Sequence, residues 1–247
     1  MPVINARKLA GWISGVCALT VCTALQAGSL PDENAADWSL STTADNIRIY
    51  TIEQPDSSFK AFKAVAIMDV PIENLMAVMI DPTSCTAWVH GCTESYGFGE
   101  GSFDDRYAYS VNDMPWPVAD RDYVLHIQTD GDRDSGEVVM HLNAVPDHRE
   151  QFDQYVRVDR SDTLYRFIPE GQQTRMIWLQ HTDPNGALPS WLVNSLLVDI
   201  PVKSLKNLEQ VAQLPRYQNH QLDYNSNGQL TGVSLMQSGD DAASSNR

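Results

Sequence analysis

Asp120, Arg121 and Asp122 set two carboxylates around one guanidinium within three residues. A pair of carboxylates can divide the acid and base roles of a proton transfer. At strand spacing the two aspartates share a face and Arg121 points to the other. No histidine or nucleophile adjoins the run. Its expected role is structural: ion pairs and backbone hydrogen bonds that hold the start of a strand. Three histidines, His126, His141 and His181, also fall on candidate strands, where a shared cluster could hold a metal or carry a proton. Alternation sets His126 opposite Tyr123, Leu125 and Ile127, and His141 opposite Met140 and Leu142. Those two face outward. His181, in phase with Ile177 and Leu179, reads first as a core histidine, with a hydrogen bond to a bound ligand as the alternative. Phosphate-loop, dinucleotide, nucleophile-elbow and zincin motifs are absent from the sequence. GFGEG at 97–101 reads as a glycine-rich turn. No catalytic residue, metal or cofactor is expected.

The four cysteines take their meaning from the first residues. Arg7 and Lys8 precede 17 uncharged residues, 9–25, and small residues follow at Ala27 and Gly28. This is the layout of a secretory signal peptide, and residues 1–27 are read as one. A retained membrane anchor is the alternative, since 17 residues lie near the lower limit for a span. Cys17 and Cys22 leave with the leader. Cys85 and Cys92 then meet an oxidising compartment, periplasmic or extracellular, and two thiols alone do not make a structural zinc site. On one continuous helix these cysteines would stand roughly 10 Å apart, beyond disulfide reach. Gly91 can end the helix in a left-handed turn and bring Cys92 back. A Cys85–Cys92 disulfide is expected.

The 247 residues carry a net charge of −15, and removing residues 1–27, with two basic and no acidic side chains, takes it to −17. Such a surface repels phosphate backbones, which excludes nucleic acid as a partner. It also lacks electrostatic attraction to anionic headgroups. Contact with a membrane or an envelope protein must be hydrophobic or transient, and the chain is expected to be a monomer.

The elements that would position these residues follow from periodicity. Residues 28–37 are small, polar and acidic, and read as a linker. Residues 46–53 and 58–68 read as two strands across a Pro55-Asp56 turn. Residues 72–80 place Leu75, Met76, Met79 and Ile80 on one helical face. Asp81-Pro82 ends that helix, and a short one with Trp88 follows. Between Glu94 and Asp183 strands are expected at 95–98, 104–111, 122–129, 136–144, 154–159, 163–168 and 175–182. Together they make an antiparallel meander. Residues 189–213 form a long helix with Leu192, Leu196, Ile200, Leu208 and Val211 as its apolar stripe, and Pro201 should kink it. Residues 215–247 are polar and read as a disordered tail.

The result is an α+β fold in which one terminal helix lies across the concave face of a curved antiparallel sheet, with space for a ligand between. Apolar phase assigns Leu125, Ile127, Met140, Leu142 and Trp178 of the sheet to the wall of that tunnel. Trp191, Leu192, Leu196 and Ile200 of the helix complete it.

Six segments, in this order, resemble the START domain, the steroidogenic-acute-regulatory-related lipid-transfer family, above all its short bacterial members. They are SFKAFKAVAIM at 58–68, the spacing Asp81…Trp88, PWPVADRD at 115–122, YVRV at 155–158, YRFIPEG at 165–171 and DPNGALPSWLVN at 183–194. The resemblance covers residues 38–214. It implies a helix-grip fold: an N-terminal strand pair, a nine-stranded sheet and a C-terminal helix that closes a lipid tunnel. Sterol-carrying animal members place a buried acid and an arginine in the tunnel. The matching positions here, Ala108 and Ile127, are apolar, so the resemblance does not extend to a sterol.

The resemblance implies non-enzymatic binding and transfer of a lipid or other apolar small molecule in the cell envelope. The alternative is an aromatase/cyclase-like enzyme acting on a polyketide. That chemistry needs polar groups along the cavity, and the sequence offers few. A third possibility is an interaction partner whose cavity is filled by its own side chains.

Overall fold

The computed structural model, which describes residues 30–186, 188 and 190–236, gathers the alternating segments into one curved, open sheet. Its strands are β1 (Ser39–Ala44), β2 (Ile47–Ile52), β3 (Ala61–Met68), β4 (Cys92–Phe98) and β5 (Asp105–Asn112), followed by β6 (Arg121–Gly131), β7 (Val138–Ala144), β8 (Val156–Arg157), β9 (Arg160–Glu170) and β10 (Gln173–Asp183). The spatial order is β1-β2-β3-β10-β9-β7-β6-β5-β4. All neighbours along it are antiparallel, and the two-residue β8 adds a parallel pairing to the start of β6. The expected strand at 154–159 shrinks to this pair, and β1 joins the edge of the sheet.

Helix α1 (Ile72–Ile80) and the single turn α2 (Cys85–Trp88) connect β3 to β4, and α3 (Ser190–Ala212) follows β10. Pro71 and the Asp81-Pro82 pair bracket α1: proline has no N–H, which costs nothing at the helix start, and Pro82 drives Asp81 out of the helical conformation. Val78, Leu75 and Met76 of α1 are fully buried. Alternation in β3 buries Phe62, Ala64, Ala66 and Met68 on one face. The small Ala64 and Ala66 stand beside Ile49 and Ile47 of β2, and Leu205 and Leu208 of α3 pack into the same core. A disulfide joins Cys85 to Cys92 with the Cα atoms 6.0 Å apart. Gly91, at φ +88°, supplies the reversal between them.

Two expectations about the ends of the domain need correction. Residues 30–37 are not a free linker. The Glu33 carboxylate pairs with Arg166 at 2.8 Å, its carbonyl accepts from Lys63 Nζ at 2.6 Å, and Asp32 O accepts from Trp38 Nε1 at 2.9 Å. These contacts fasten the segment to the outer face of the sheet. Nor are residues 215–236 a disordered tail. A turn at Pro215–Tyr217 leads into a hairpin, β11 (His220–Tyr224) and β12 (Leu230–Leu235). Leu230 is buried and Leu222, Tyr224 and Val233 pack against the main core. Gln229 bridges to Asp132, and the Arg133 guanidinium lies 5.1 Å from the Tyr224 ring. Enough apolar area is covered to order a segment whose composition is mostly polar. Residues 1–29, 187, 189 and 237–247 lie outside the described residues, so the expected leader, the start of the expected linker and the last part of the expected tail do too.

Candidate functional site

The concave face of the sheet, the α1–α2 connection and the first half of α3 enclose a cavity of about 230 Å3, measured as space open to the centre of a water molecule. Seven of the nine expected tunnel residues stand on its wall: Leu125, Ile127, Met140, Leu142, Trp178, Leu196 and Ile200. Leu192 is buried at 2% exposure but packs outside the wall. The Trp191 side chain lies outside the described residues. Ala108 also lines the space, so both positions that are charged in sterol carriers open onto it here as apolar groups.

Four rings organise one end. Trp178 meets Phe62 at 5.3 Å, Tyr165 at 5.4 Å and Trp88 at 5.9 Å between centroids, all edge-on. In that arrangement the positive edge of one ring meets the negative face of the next. The disulfide holds the short helix carrying Trp88 against this cluster. Sequence reading missed Phe62 and Trp88, although Phe62 shares its strand parity with the buried Ala64 and Ala66.

The expectation of few polar lining groups is overturned. Ser161, Thr163, Gln180 and Thr182 face the cavity from β9 and β10, and Ser110, Asn112 and Tyr123 from β5 and β6. Serine, threonine and glutamine on strands read as solvent-facing until the parity of Trp178 is carried forward to Gln180 and Thr182. Burial lifts the Tyr123 phenol to about 12, and burial also raises that of Tyr165. Both remain protonated donors near neutrality.

The Asp-Arg-Asp run lies outside the cavity wall and ties the start of β6 to the loop ahead of α3. Asp122, 1% exposed, accepts from Arg157 Nε at 3.0 Å and Nη2 at 2.7 Å, and from the Tyr109 hydroxyl at 3.1 Å. Asp120 accepts from the Met114 N–H at 3.0 Å. Arg121 points to the opposite face and donates to the carbonyls of Pro184 at 3.1 Å, Asn185 at 2.8 Å and Ala119. The Asn185 side chain in turn donates to Arg157 O and Asp159. The run is an anchor for the loop ahead of α3, made of the expected ion pairs and backbone bonds.

The histidines do not converge. His126 sits beside Asp105 at 2.9 Å and stacks on Tyr107, and His141 is exposed. His181 is buried at 1%, but Trp178, Gln180 and Thr182 are the residues of β10 that face the cavity. His181 therefore lies on the opposite face, as a core histidine, and meets no ligand head there. Burial and the nearby Arg160 charge hold its pKa below the usual value. Among the described residues no group of His, Cys, Asp and Glu is arranged to hold a metal ion.

Comparison with known proteins agrees with this geometry. An uncharacterized protein of Pseudomonas aeruginosa is 33% identical over 201 residues, covering 81% of this chain and 98% of the relative. The rat phosphatidylcholine transfer protein is 29% identical over 180 residues, 70% of this chain and 81% of that one. The crystal structure of a STAR-related lipid transfer protein fragment from Xanthomonas axonopodis superposes with a TM-score of 0.66 at 25% identity, covering 72% of this chain and 99% of the fragment. Human StAR-related lipid transfer protein 5 shares the fold at a TM-score of 0.65 and 13% identity, over 73% of this chain and 88% of that one. The START domain family model matches residues 19–218, and the chain belongs to that family.

Proposed function

We propose that this domain binds a lipid or a comparable apolar molecule and carries it through the aqueous space of the cell envelope, without catalysing a reaction on it. The observation that carries the reading is the apolar cavity, walled by Trp88, Tyr165, Trp178, Met140, Leu142 and Leu197. Each Å2 of acyl chain moved from water into such a space is favoured by roughly 25 cal/mol. A chain of a dozen methylenes needs no chemistry to stay. The relatives named for lipid transfer support the same reading, and the acidic surface and the disulfide suit an exported protein.

Access is through the first half of α3. Pro201 brings no N–H to the Leu197 carbonyl. Among the described side chains, those beyond Pro201 tie the helix to the rest of the domain. Ser204 Oγ accepts from the His90 N–H at 2.9 Å, Lys206 pairs with Asp45 at 2.6 Å, and Glu209 accepts from the Asp69 N–H at 2.7 Å. Residues 190–200 then open as a lid between Pro201 and Gly186, whose φ of +74° suits a glycine hinge. The test is isolation from the native envelope with mass spectrometry of bound small molecules, together with extraction of labelled lipids from vesicles. A protein that arrives empty and extracts no probe refutes the reading.

A further inference from the structure

One stretch of the cavity wall is polar and uncharged. Thr182 stands opposite Ser161 and Gln180 opposite Thr163 on β10 and β9. Ser161 Oγ and Thr182 Oγ1 are 2.8 Å apart, and Gln180 Nε2 donates to the same Thr182 oxygen at 2.8 Å. Gln180 Oε1 accepts from Trp178 Nε1 at 3.0 Å. These bonds leave capacity. Gln180 keeps one N–H and a lone pair on Oε1. The Thr163 hydroxyl faces the cavity and makes no hydrogen bond among the described residues. A hydroxyl open to the cavity can donate to or accept from a ligand group placed against it.

The charged groups on and beside the cavity wall already have partners. Among the described lining residues the charged ones are Lys60 and Asp81. Lys60 pairs with Glu53 at 2.7 Å, and its side chain is 42% exposed. Asp81 accepts from the Tyr217 hydroxyl at 2.6 Å and from Thr83. Arg121 uses Nε, Nη1 and Nη2 on backbone carbonyls. A phosphate drawn into this space would meet no free cation, and an uncompensated buried charge is strongly disfavoured. Arg106 is the competing feature: Nη1 bonds Phe103 O and Thr129, while Nη2 is buried without a partner. It lies two residues beyond Ala108 on β5 and outside the cavity wall.

We propose, resting on the lipid-binding reading above, that the ligand carries an uncharged hydrogen-bonding head. A hydroxyl, ester or amide, as in a diacylglycerol or an N-acyl alcohol, would meet Thr163 and Gln180. Its chains would lie toward Trp178 and Leu142. Phosphate-bearing lipids are selected against.

The test uses the full chain, freed of lipid, and phosphatidylcholine vesicles that contain one of three labelled probes: a diacylglycerol, a phosphatidic acid with the same chains, and an alkane. Extraction of the diacylglycerol should exceed that of the phosphatidic acid by about tenfold or more. Thr163→Val and Gln180→Leu should each lower diacylglycerol extraction about 5- to 10-fold and leave the alkane unchanged. Thr163→Ser, which keeps the hydroxyl, should retain it, so that a loss through misfolding is distinguished from a loss of the bond. Equal or better extraction of phosphatidic acid overturns the proposal, and its disappearance in Arg106→Met would place an anion site there. Variants that leave diacylglycerol extraction intact overturn it as well. Extraction of no probe, alkane included, overturns the lipid-binding reading itself.

Discussion

Arg121→Met keeps the aliphatic stem of the side chain and removes the guanidinium that ties β6 to the loop ahead of α3. Two of its bonds cross to that loop, to Pro184 O at 3.1 Å and Asn185 O at 2.8 Å. Hydrogen bonds that involve a charged group contribute about 1.5–3 kcal/mol each, so the pair holds the loop by about 3–6 kcal/mol. Part of this returns in the variant. Asn185 keeps its own bonds to Arg157 O at 2.9 Å and Asp159 at 2.7 Å, and water can reach a half-buried carbonyl. A net loss of about 2–4 kcal/mol remains, equivalent to roughly 30- to 700-fold in a local opening equilibrium. Hydrogen exchange read by mass spectrometry should show that acceleration in peptides from 184–200, with strands β6, β7 and β9 unchanged. Release of a preloaded lipid should quicken in the same direction. If the first half of α3 exchanges no faster in the variant, or accelerates equally with the strands, then Arg121 does not latch a lid and access lies elsewhere, most plausibly at the loop of residues 114–118.

Reduction of Cys85–Cys92 frees a loop of about eight residues and should cost about 2.5 kcal/mol by chain entropy, read from urea melts with and without reductant. Non-reducing peptide mapping should recover the two linked, and freely alkylated thiols would contradict the bond. His181 has its folded pKa depressed below 6.5, so the unfolded chain takes up a proton first on acidification. Stability from this site is fully present above the unfolded pKa and falls as pH drops below about 6.5. His181→Leu should flatten the urea-midpoint slope between about pH 6.5 and 5, and equal slopes would refute the assignment. Gly131→Ala would put a Cβ 2.8 Å from Leu230 Cδ2. It should loosen the hairpin and cost about 1–3 kcal/mol, with β11 and β12 amides exchanging first.

Much of this architecture is legible in residue order because its signals are local. Helix α1 has the expected bounds, 72–80, since prolines mark both ends. The tunnel phase of Leu125 and Ile127, or Met140 and Leu142, follows from simple alternation. Failures occur where tertiary contact replaces pattern. Strand β1 reads SLSTTA, an edge strand largely exposed, so no apolar face announces it. The hairpin hides four packed apolar residues in a polar stretch, although Asn227-Gly228 between them was a turn signal. For His181 the parity of Trp178 decides between the two readings: with Trp178 in the tunnel, residue 181 faces away as a core histidine. The anchoring of Asn185 by Arg121 and Arg157 joins residues far apart in sequence, and no spacing rule reaches it.

The C-terminal hairpin changes the mechanics of the helix that precedes it. Leu205, Leu208 and Ala212 are buried, Tyr217 is bonded to Asp81, and β11–β12 lap back over α1 and the β6–β7 turn. On the lid proposed above, helix α3 acts as a cantilever: built in from Pro201 onward, with residues 190–200 as an arm of about 16 Å. A tilt of about 20° at the root would displace the tip by roughly 5–6 Å, more than the ~4.8 Å between neighbouring strands. A cantilever swings and does not slide, so the opening forms at the arm's N-terminal tip, beside the Arg121 latch. Load applied there, such as contact with a bilayer surface, acts at the longest lever arm while the clamped half stays in register. Melting temperature and exchange rate then become separately adjustable, the first through the root and the second through the arm.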